Sequence, residues 1–555
     1  MEQILEKEIE RILIDLGAKD LKVQVSTSAY LDKGDYSTNV AMAHSKELGK
    51  NPMDLAEEIK KELENQDRIK AKELSQILKI EVVKPGYINF FFGKEYFGDA
   101  VKENKFEGKL FKGQEFFVEH TQPNPFKAFH IGHLMNNTIG ESVARIIKKN
   151  GGEVQTATYH GDKGLHVAKA VWSLQKGVDL KDAYANGHKA FEEDPKAKEE
   201  ITLINKKIYD ESDIEINEIY EKGRGLSLSY FEEMYKRLDS EFNFHFFESE
   251  SGEVGKELVL DNIPKIFEEG DEGAVIFRGE NFEPKTHTRV FLNKDKLPTY
   301  EAKELGLAEI KKDFYSYDTS ITITANEQDS FFKVVEVAIG EVFPDLKGKL
   351  HHLSHGLLKL PTGKMSSRDG NVISAEDLIN QIKEKVLEKM KEGEVGADDK
   401  DRIAEMISLG AIKYTILRQA IGGDIIFDFD KSISFEGDSG PYLQYSVVRA
   451  NSILNKALDI KISGDVPEGW ETTNVERLLE RFGGVVEKAG REYAPHHIVT
   501  YLTDLASEFN SFYASHKIID DTDSNSSYRL AVTKAFSNIM AEGLGLLGIK
   551  VPEKM

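Results

Sequence analysis

The chain has 555 residues, of which 40% are hydrophobic and 30% are charged, and its formal net charge at pH 7 is −23. This length exceeds what one hydrophobic core supports and predicts about three or four domains, while the composition excludes a disordered chain. The sequence holds no apolar run of the roughly 20 residues that cross a bilayer, and no cysteine for disulfides, thiol catalysis or cysteine-bound zinc.

Residues 1–110 alternate helix-like and strand-like segments and predict a small α+β domain. The first segment, MEQILEKEIERILIDLG, has the pattern of an amphipathic acidic helix. It lacks the basic start and continuous apolar stretch of a signal peptide, so we expect a cytoplasmic protein. The domain closes on the apolar run YINFFF.

A strand–helix–strand unit follows. Lys112 and Gly113 supply a turn before the strand QEFFVEH, and Gly151 and Gly152 end the helix that precedes the strand EVQTATY. Apolar residues recur in that helix at near-helical spacing: Ile131, Leu134, Ile139, Val143, Ile146 and Ile147. A unit of this kind predicts a parallel sheet whose binding site lies beyond the carboxyl ends of the strands.

The rest of the chain predicts one more α/β stretch and then helices. A helical stretch runs to about Glu250, and strand patterns return in GAVIFRG, TRVFL and SITITA. From about Asp398 the pattern is almost entirely helical to Met555. The sequence therefore predicts a multidomain α/β protein with domains at residues 1–110, 111–397 and 398–555.

The first chemical motif is His130-Ile131-Gly132-His133, at the start of the predicted helix. A helix N-terminus offers unpaired N–H groups and a partial positive charge, so a phosphate binds there readily. Histidines at this place can donate hydrogen bonds to phosphate oxygens. By itself the motif is modest, and a single histidine of this kind is more often an ordinary partly buried residue.

The second motif is Lys364-Met365-Ser366-Ser367-Arg368, preceded by Pro361, Thr362 and Gly363. Small residues and hydroxyls around two cations indicate a loop that closes on an anion. An exposed basic turn is the plainer interpretation of this string alone. The pairing of the two motifs in one chain makes both more specific.

The pair resembles the signature of the class I aminoacyl-tRNA synthetases, and further segments resemble the arginine-specific members along essentially all 555 residues. These segments are GDYSTNVAMAHSKELGKNP, KPGYINFFF, VEHTQPNPFKAFHIGH, YHGDKG, PTYEAKELG, SGPYLQYSVVRANSIL and LGLLGIKVPEKM. The resemblance implies a tRNA-contacting N-terminal domain, a Rossmann-type catalytic domain with a helical insertion, and an anticodon-binding helical bundle.

The resemblance also implies an ATP site. Its residues are His130, Gly132, His133, Lys364, Met365 and Ser366, with catalysis assigned to His130, His133 and Lys364. The usual class I loop carries a second lysine where this chain has Ser367, so we give Lys364 the main role. Mg²⁺ is expected to enter with ATP and not in a protein cage, and no protein-bound zinc is expected.

An arginine site is implied at Glu119, Gln122, Asn124, Tyr300, Glu304 and Gln328. A guanidinium presents a planar fork of donors that matches carboxylates, so an arginine pocket should contain acids. Glu304 departs from the family, which has aspartate four residues after the tyrosine. The substitution keeps the negative charge and lengthens the side chain.

Transfer-RNA contacts are implied at Tyr442, Tyr445, Arg449, Tyr513, Met555 and Asn89. Aromatic rings and arginine planes stack on splayed single-stranded bases. Basic residues also outnumber acidic ones between Thr121 and Lys176, which matters more for RNA binding than the net charge. Periodicity alone would assign the tyrosines to core packing, and Phe92 is interpreted as core.

The resemblance thus implies an arginine–tRNA ligase that uses ATP, L-arginine and tRNA(Arg), is not bound to a membrane, and works as a monomer. Two alternatives stay open. One is a class I synthetase for another amino acid, and the other is a non-catalytic paralogue that only binds RNA or partner proteins.

Overall fold

The computed structural model describes residues 1–19, 21–28, 33–65, 72–359, 374–390 and 397–555. The chain forms two compact units, each assembled from separate stretches. One unit comprises Met1–Phe106, Ser446–Val485 and Tyr501–Glu542; the other comprises Glu107–Tyr445, Val486–Thr500 and Gly543–Met555.

The N-terminal stretch is a small α+β domain built on an antiparallel sheet with the strand order β1-β2-β4-β3. The apolar run YINFFF forms β4 and buries Ile88, Phe90 and Phe92, so the core interpretation of Phe92 is confirmed. The elements are α1 (Glu2–Asp15), β1 (Val25–Thr27), β2 (Tyr36–Thr38), α2 (Val40–His44), α3 (Pro52–Glu64), β3 (Ile77–Val83), β4 (Tyr87–Phe92) and α4 (Lys94–Glu103).

The second stretch is an α/β domain. Its elements are β5 (Glu115–Glu119), α5 (Ile131–Lys149), β6 (Glu153–His160), α6 (Leu165–Gln175), α7 (Leu180–Glu193), α8 (Pro195–Asp210), α9 (Ile214–Leu238), β7 (Phe244–Phe247), α10 (Glu248–Asp261), β8 (Glu268–Glu269), β9 (Val275–Phe277), β10 (Arg289–Leu292), α11 (Tyr300–Phe314), β11 (Thr319–Ala325), α12 (Asp329–Val342) and β12 (Leu350–His355). The expected strand–helix–strand unit is β5–α5–β6.

Five of these strands form one parallel sheet in the order β12-β11-β5-β6-β7. Because all five run in the same direction, their carboxyl ends meet along one edge. The strands β8, β9 and β10 form a separate antiparallel sheet, so GAVIFRG and TRVFL do not join the parallel one. SITITA does join it, as β11.

The remaining elements are β13 (Leu358–Lys359), α13 (Ala375–Lys389), α14 (Ala397–Leu417), β14 (Ile425–Ile426), α15 (Phe429–Ser432), α16 (Gly440–Lys456), α17 (Asn474–Arg491), α18 (His496–Ser515) and α19 (Ser526–Leu546). The C-terminal part is helical as expected. Among its described residues the exception is β14, which pairs in parallel with β13. The overall prediction of a multidomain α/β protein with a helical C-terminal part is confirmed. None of the described helices is long and apolar enough to span a membrane.

Candidate active site

A cleft of about 1090 Å³ opens at the carboxyl edge of the parallel sheet. The sequence-predicted residues that line it are Gln122, Asn124, His130, Gly132, His133, Tyr300, Glu304 and Gln328. Most of the residues assigned to ATP and to arginine therefore open onto one cleft, although they come from separate segments of the chain. Glu119 lies beneath the surface, with no exposed area.

The loop between β5 and α5 has an unusual backbone. Thr121, Gln122 and Phe126 have φ angles of 75°, 52° and 67°, a region that residues other than glycine seldom adopt. Buried contacts hold this loop: the side-chain amide of Asn137 donates to Thr121 Oγ1 at 3.1 Å, and the Phe126 N–H donates to Ser227 Oγ at 3.0 Å. Such strain persists where the surroundings fix it, often at functional sites. Here it aims Gln122 into the cleft.

The two histidines cap the start of α5 reciprocally. The backbone N–H of His133 donates to Nδ1 of His130 at 3.4 Å, and the backbone N–H of His130 donates to Nδ1 of His133 at 3.2 Å. A Cβ on Gly132 would lie 2.9 Å from Cε1 of the His130 ring. The histidine pair itself therefore requires glycine at this position.

Both histidines are neutral donors. Burial lowers the pKa of His130 to about 4 and the pKa of His133 well below its usual value, and the nearby charge of Lys127 acts in the same direction. Because each Nδ1 accepts a backbone N–H, each neutral ring carries its proton on Nε2. The pair thus offers two N–H donors without placing two positive charges side by side.

An ion pair lies under the floor of the cleft. Nζ of Lys311 on α11 pairs with Oε2 of Glu119, and the side-chain amide of Gln122 donates to Oε1 of Glu119 at 2.6 Å. Sequence reasoning missed Lys311. A signal was available, because Tyr300, Glu304 and Lys311 are four and seven residues apart and so share one face of α11.

Glu304 lines the cleft, as do Glu248 and Glu301, which are each paired with a cation. Burial, and next the charge of Glu119, raise its pKa to about 8, whereas Lys311 acts in the opposite direction. Its longer side chain, compared with the family's aspartate, does not remove it from the predicted site.

A second ion pair borders the cleft near Tyr300. Nζ of Lys303 lies 2.6 Å from Oε2 of Glu248, and both side chains are more than 90% buried. The Lys303 ammonium also lies 5.2 Å from the ring centroid of Tyr300. Sequence reasoning missed this pair, although Lys303 falls within the segment PTYEAKELG. The ion pair therefore lies next to the Tyr300 ring, at the same side of the cleft.

Lys364, Met365 and Ser366 lie outside the described residues. The residues on either side of that segment are described. Before it, β13 pairs with β14, and the Phe427 N–H donates to the Lys359 carbonyl at 2.8 Å. After it, Ser374 forms a β-bridge with His130. The first described residue after the segment, Ser374, therefore lies beside the histidine motif.

Two of the predicted RNA contacts lie against each other. The Arg449 guanidinium carbon is 5.6 Å from the ring centroid of Tyr513, and Nη1 of Arg449 donates to Oδ1 of Asn510 at 2.6 Å. Tyr513 is 43% exposed, which leaves part of its ring for a base. This places an arginine plane and an aromatic ring together at one surface.

The other predicted RNA contacts are less open. Tyr442, Tyr445 and Met555 are partly buried, and Asn89 is buried in β4, where its Oδ1 accepts a hydrogen bond from Ser37 at 2.7 Å. Among the described residues no group of three or more histidine or acidic side chains could hold a metal ion. That finding does not test the expected absence of zinc.

Three family models match the chain in order. They are described as "Arginyl tRNA synthetase N terminal domain", "tRNA synthetases class I (R), catalytic domain" and "DALR anticodon binding domain", and they match residues 1–92, 99–429 and 443–555. The second spans more than half of the chain and contains the cleft described above. The protein is therefore a class I aminoacyl-tRNA synthetase.

Curated relatives narrow this class. An arginine–tRNA ligase of Borrelia turicatae is 31% identical, over 84% of this chain and 86% of its own length. The corresponding ligase of Fusobacterium nucleatum is 29% identical, over 100% of this chain and 98% of its own length. The chain belongs to the arginyl-tRNA synthetase family, and the resemblance noted from its sequence is confirmed.

Solved structures share the fold. The arginyl-tRNA synthetase of Thermus thermophilus matches with a TM-score of 0.80 at 24% identity, over 100% of both chains. That of Plasmodium falciparum matches with a TM-score of 0.79 at 19% identity, over 100% of this chain and 99% of that one. At these identities the likeness concerns architecture alone, and the roles of side chains rest on the geometry given above.

Proposed function

We propose that the chain is an arginine–tRNA ligase that activates L-arginine with ATP and transfers it to the 2′-hydroxyl of the terminal adenosine of tRNA(Arg). The observation that carries this proposal is the arrangement of the cleft. Glu304 lines the same cleft as His130 and His133. A guanidinium and a triphosphate can therefore bind side by side.

The arginine substrate occupies the end of the cleft at which Glu304 lies, which we call the acidic end. Its guanidinium contacts Glu304, and Gln122, Asn124, Tyr300 and Gln328 supply amide and hydroxyl groups around the rest of the molecule. Glu119 acts from beneath, because it fixes the Gln122 amide at 2.6 Å. Each hydrogen bond to a charged group contributes about 1.5–3 kcal/mol, so the pocket selects a cationic fork of donors.

Activation is positioning plus electrostatics. The arginine carboxylate attacks the α-phosphorus of ATP, which forms arginyl-adenylate and releases pyrophosphate. The Nε2–H groups of His130 and His133 donate to phosphate oxygens as charge develops there, and the Lys364 ammonium adds a full positive charge. Gly132, Met365 and Ser366 complete the nucleotide site, and Mg²⁺ enters with ATP as part of the substrate.

The RNA is read mainly by the helical part, with Asn89 of the N-terminal domain as a further contact. Tyr513 and Arg449 offer adjacent stacking surfaces for a splayed base, and Tyr442, Tyr445, Met555 and Asn89 add contacts. The terminal adenosine then enters the cleft, where its 2′-hydroxyl attacks the adenylate carbonyl. The enzyme works as a monomer in the cytoplasm.

ATP–pyrophosphate exchange with each of the twenty amino acids, with and without total tRNA, tests the proposal. We expect exchange with arginine, and we expect it to need RNA. Exchange with another amino acid would keep the class and overturn the specificity. No exchange from folded protein that still binds RNA would indicate a non-catalytic paralogue.

A further inference from the structure

A buried cluster of two carboxyl groups and one ammonium lies at the acidic end of the cleft. Glu119 has no exposed area, and its partner Lys311 has a side chain that is 7% exposed. The ion pair between them is thus shielded from water. Opposite charges attract each other more strongly in the protein interior than at the surface. Lys311 therefore neutralises Glu119 before any substrate arrives.

Glu304 is the second carboxyl group of the cluster. It precedes Lys311 by seven residues, about two helical turns, and so lies on the same face of α11. It opens onto the cleft and also onto a small cavity of about 30 Å³ that it shares with Lys311. Within the part of the chain that the structure describes, the Glu304 side chain makes no hydrogen bond or ion pair.

The surroundings of Glu304 are mostly acidic. Its charged and titratable neighbours are Glu119 on β5, Tyr159 on β6, Glu248 on α10, Glu301 and Lys311 on α11, Tyr317 before β11, Glu336 on α12, and His351 and His352 on β12. Glu248 is already paired with Lys303, and Glu301 with Arg289 at 2.9 Å. Lys311 is thus the one lysine among these neighbours, and it is already paired with Glu119.

Two buried carboxyl groups that share one cation cannot both ionise freely, so one of them keeps its proton. Glu304 is partly buried and lines the cleft, whereas Glu119 has no exposed area, so Glu304 is the group that a ligand can reach. We propose that arginine supplies the second cation of this cluster, and that its guanidinium displaces a proton from Glu304 as it binds.

The exchange balances in charge. A neutral carboxylic acid and a guanidinium cation become a carboxylate–guanidinium pair, and the proton passes to solvent. The raised pKa of Glu304, about 8, places this exchange in the neutral range. The affinity for arginine should then rise about tenfold between pH 6 and pH 7 and level off above pH 8. This inference rests on the proposed function, since it takes arginine as the ligand.

Calorimetric titration of the full-length protein with arginine, in the presence of tRNA, measures the exchange directly. At pH 7 the binding heats in phosphate and in Tris should differ by close to one proton's buffer ionisation heat per arginine. At pH 8, where Glu304 with a pKa of about 8 is already half ionised, the difference should fall to about half. L-Citrulline is a neutral analogue of arginine, and its binding should release no proton at either pH.

Variants identify the residue that releases the proton when arginine binds. Glu304→Gln should bind arginine without proton release and without the rise in affinity between pH 6 and pH 7, whereas Glu304→Asp should keep both. Glu309→Gln is a matched control, because Glu309 lies on the same helix and does not line the cleft. It should leave the proton count as in the unaltered protein.

Arginine binding with identical heats in both buffers at pH 7, after correction for dilution, would overturn the inference and leave the proposed function standing. Unchanged proton release in Glu304→Gln would also overturn it, because another group would then be the source. Exchange supported by a different amino acid, with no arginine binding, would overturn the proposed function and this inference together.

Discussion

The imidazole rings of His130 and His133 lie in a stack, with centroids 3.6 Å apart and planes 16° apart. Two imidazolium rings at this distance would repel each other strongly, so the stack requires that at least one ring is neutral. The lowered pKa values of both residues agree with this arrangement. The role that we propose for the pair is then hydrogen-bond donation rather than the supply of charge.

Replacement of His130 should distinguish a role in hydrogen-bond donation from a role as a positive charge. His130→Ala removes a donor and should lower the rate of pyrophosphate exchange by about 10²–10³-fold at saturating arginine. His130→Gln keeps a neutral N–H donor and should lose less. Equal losses in the two variants would contradict the donor role, because they would show that the imidazole itself is needed.

Acid should destabilise the unit that contains the cleft. Burial is the largest cause that lowers the pKa of five histidines to about 3 or 4: His120, His130, His160, His166 and His352. Between these values and about 6.5 the unfolded chain binds protons that the folded unit does not. The stability that these groups provide is therefore fully present above pH 6.5 and falls as the pH falls, by up to about 1.4 kcal/mol per pH unit for each histidine.

Glu304 has the opposite effect on stability, which it increases as the pH falls. Its raised pKa makes the folded unit bind a proton between about pH 4.5 and pH 8 that the unfolded chain does not bind. The pKa values of Glu248, Glu309 and Glu336 are also raised, but the five histidines outnumber these four carboxyl groups, so the thermal unfolding midpoint should fall from pH 7 to pH 5. Differential scanning fluorimetry across that range measures it. His287→Asn, at an exposed histidine that does not line the cleft, is the control variant. A midpoint that is constant or rises on acidification would contradict the prediction.

Local signals account for what the sequence predicted correctly. The helical spacing of apolar residues and the glycines at Gly151 and Gly152 define α5, and the helix start then fixes where the histidine motif must lie. The carboxyl edge of a parallel sheet supplies the rest of the site. The position of most of the cleft follows from these features together with the family resemblance.

Short edge strands and long-range pairs were not predictable in this way. The strand β7 has four residues, FHFF, within a stretch interpreted as helical, and β12 reads LHHLSH, with little apolar alternation. Partners across the sheet make these segments strands, and a local pattern does not contain those partners. Likewise Lys311 looks like an ordinary helix-surface charge until the fold brings it to Glu119.

Tyr513 should contribute to tRNA affinity through its ring. Stacking of one base on an aromatic side chain is worth about 1–3 kcal/mol, so Tyr513→Ala should weaken tRNA binding by roughly 5- to 150-fold. Tyr513→Phe keeps the ring and should bind nearly as well as the unaltered protein. Filter binding of tRNA(Arg) measures both. Equal weakening in the two variants would assign the effect to the hydroxyl and not to stacking.

Lys364 should act in the chemical step. Lys364→Ala removes a full positive charge from the developing negative charge on the phosphates and should lower exchange by about 10²–10³-fold. The KM for arginine should change little, because Lys364 is assigned to ATP and not to the proposed arginine site. Arg368→Ala is the companion variant and should have the smaller effect. An unchanged turnover in Lys364→Ala would refute its role.

Lys413 should stabilise the fold without acting in catalysis. It is 2% exposed, and its Nζ donates to the carbonyls of Leu238 and Gly548 at 2.7 Å each. Leu238 is the last residue of α9, so the ammonium satisfies one of the carbonyls that a helix end leaves unpaired. Burial lowers the pKa of Lys413 to about 8. Its amino group nevertheless donates hydrogen bonds to both carbonyls.

Lys413→Met should therefore leave two buried carbonyls without a partner and lower the free energy of unfolding by about 2–4 kcal/mol. Urea denaturation followed by circular dichroism measures this loss, and pyrophosphate exchange of the folded variant should stay near its normal rate at 25 °C. Lys222→Met removes an exposed lysine from α9 and should change stability by less than about 0.5 kcal/mol. If the two variants were equally stable, the carbonyl contacts of Lys413 would contribute nothing measurable, and the end of α9 would have to be satisfied by water.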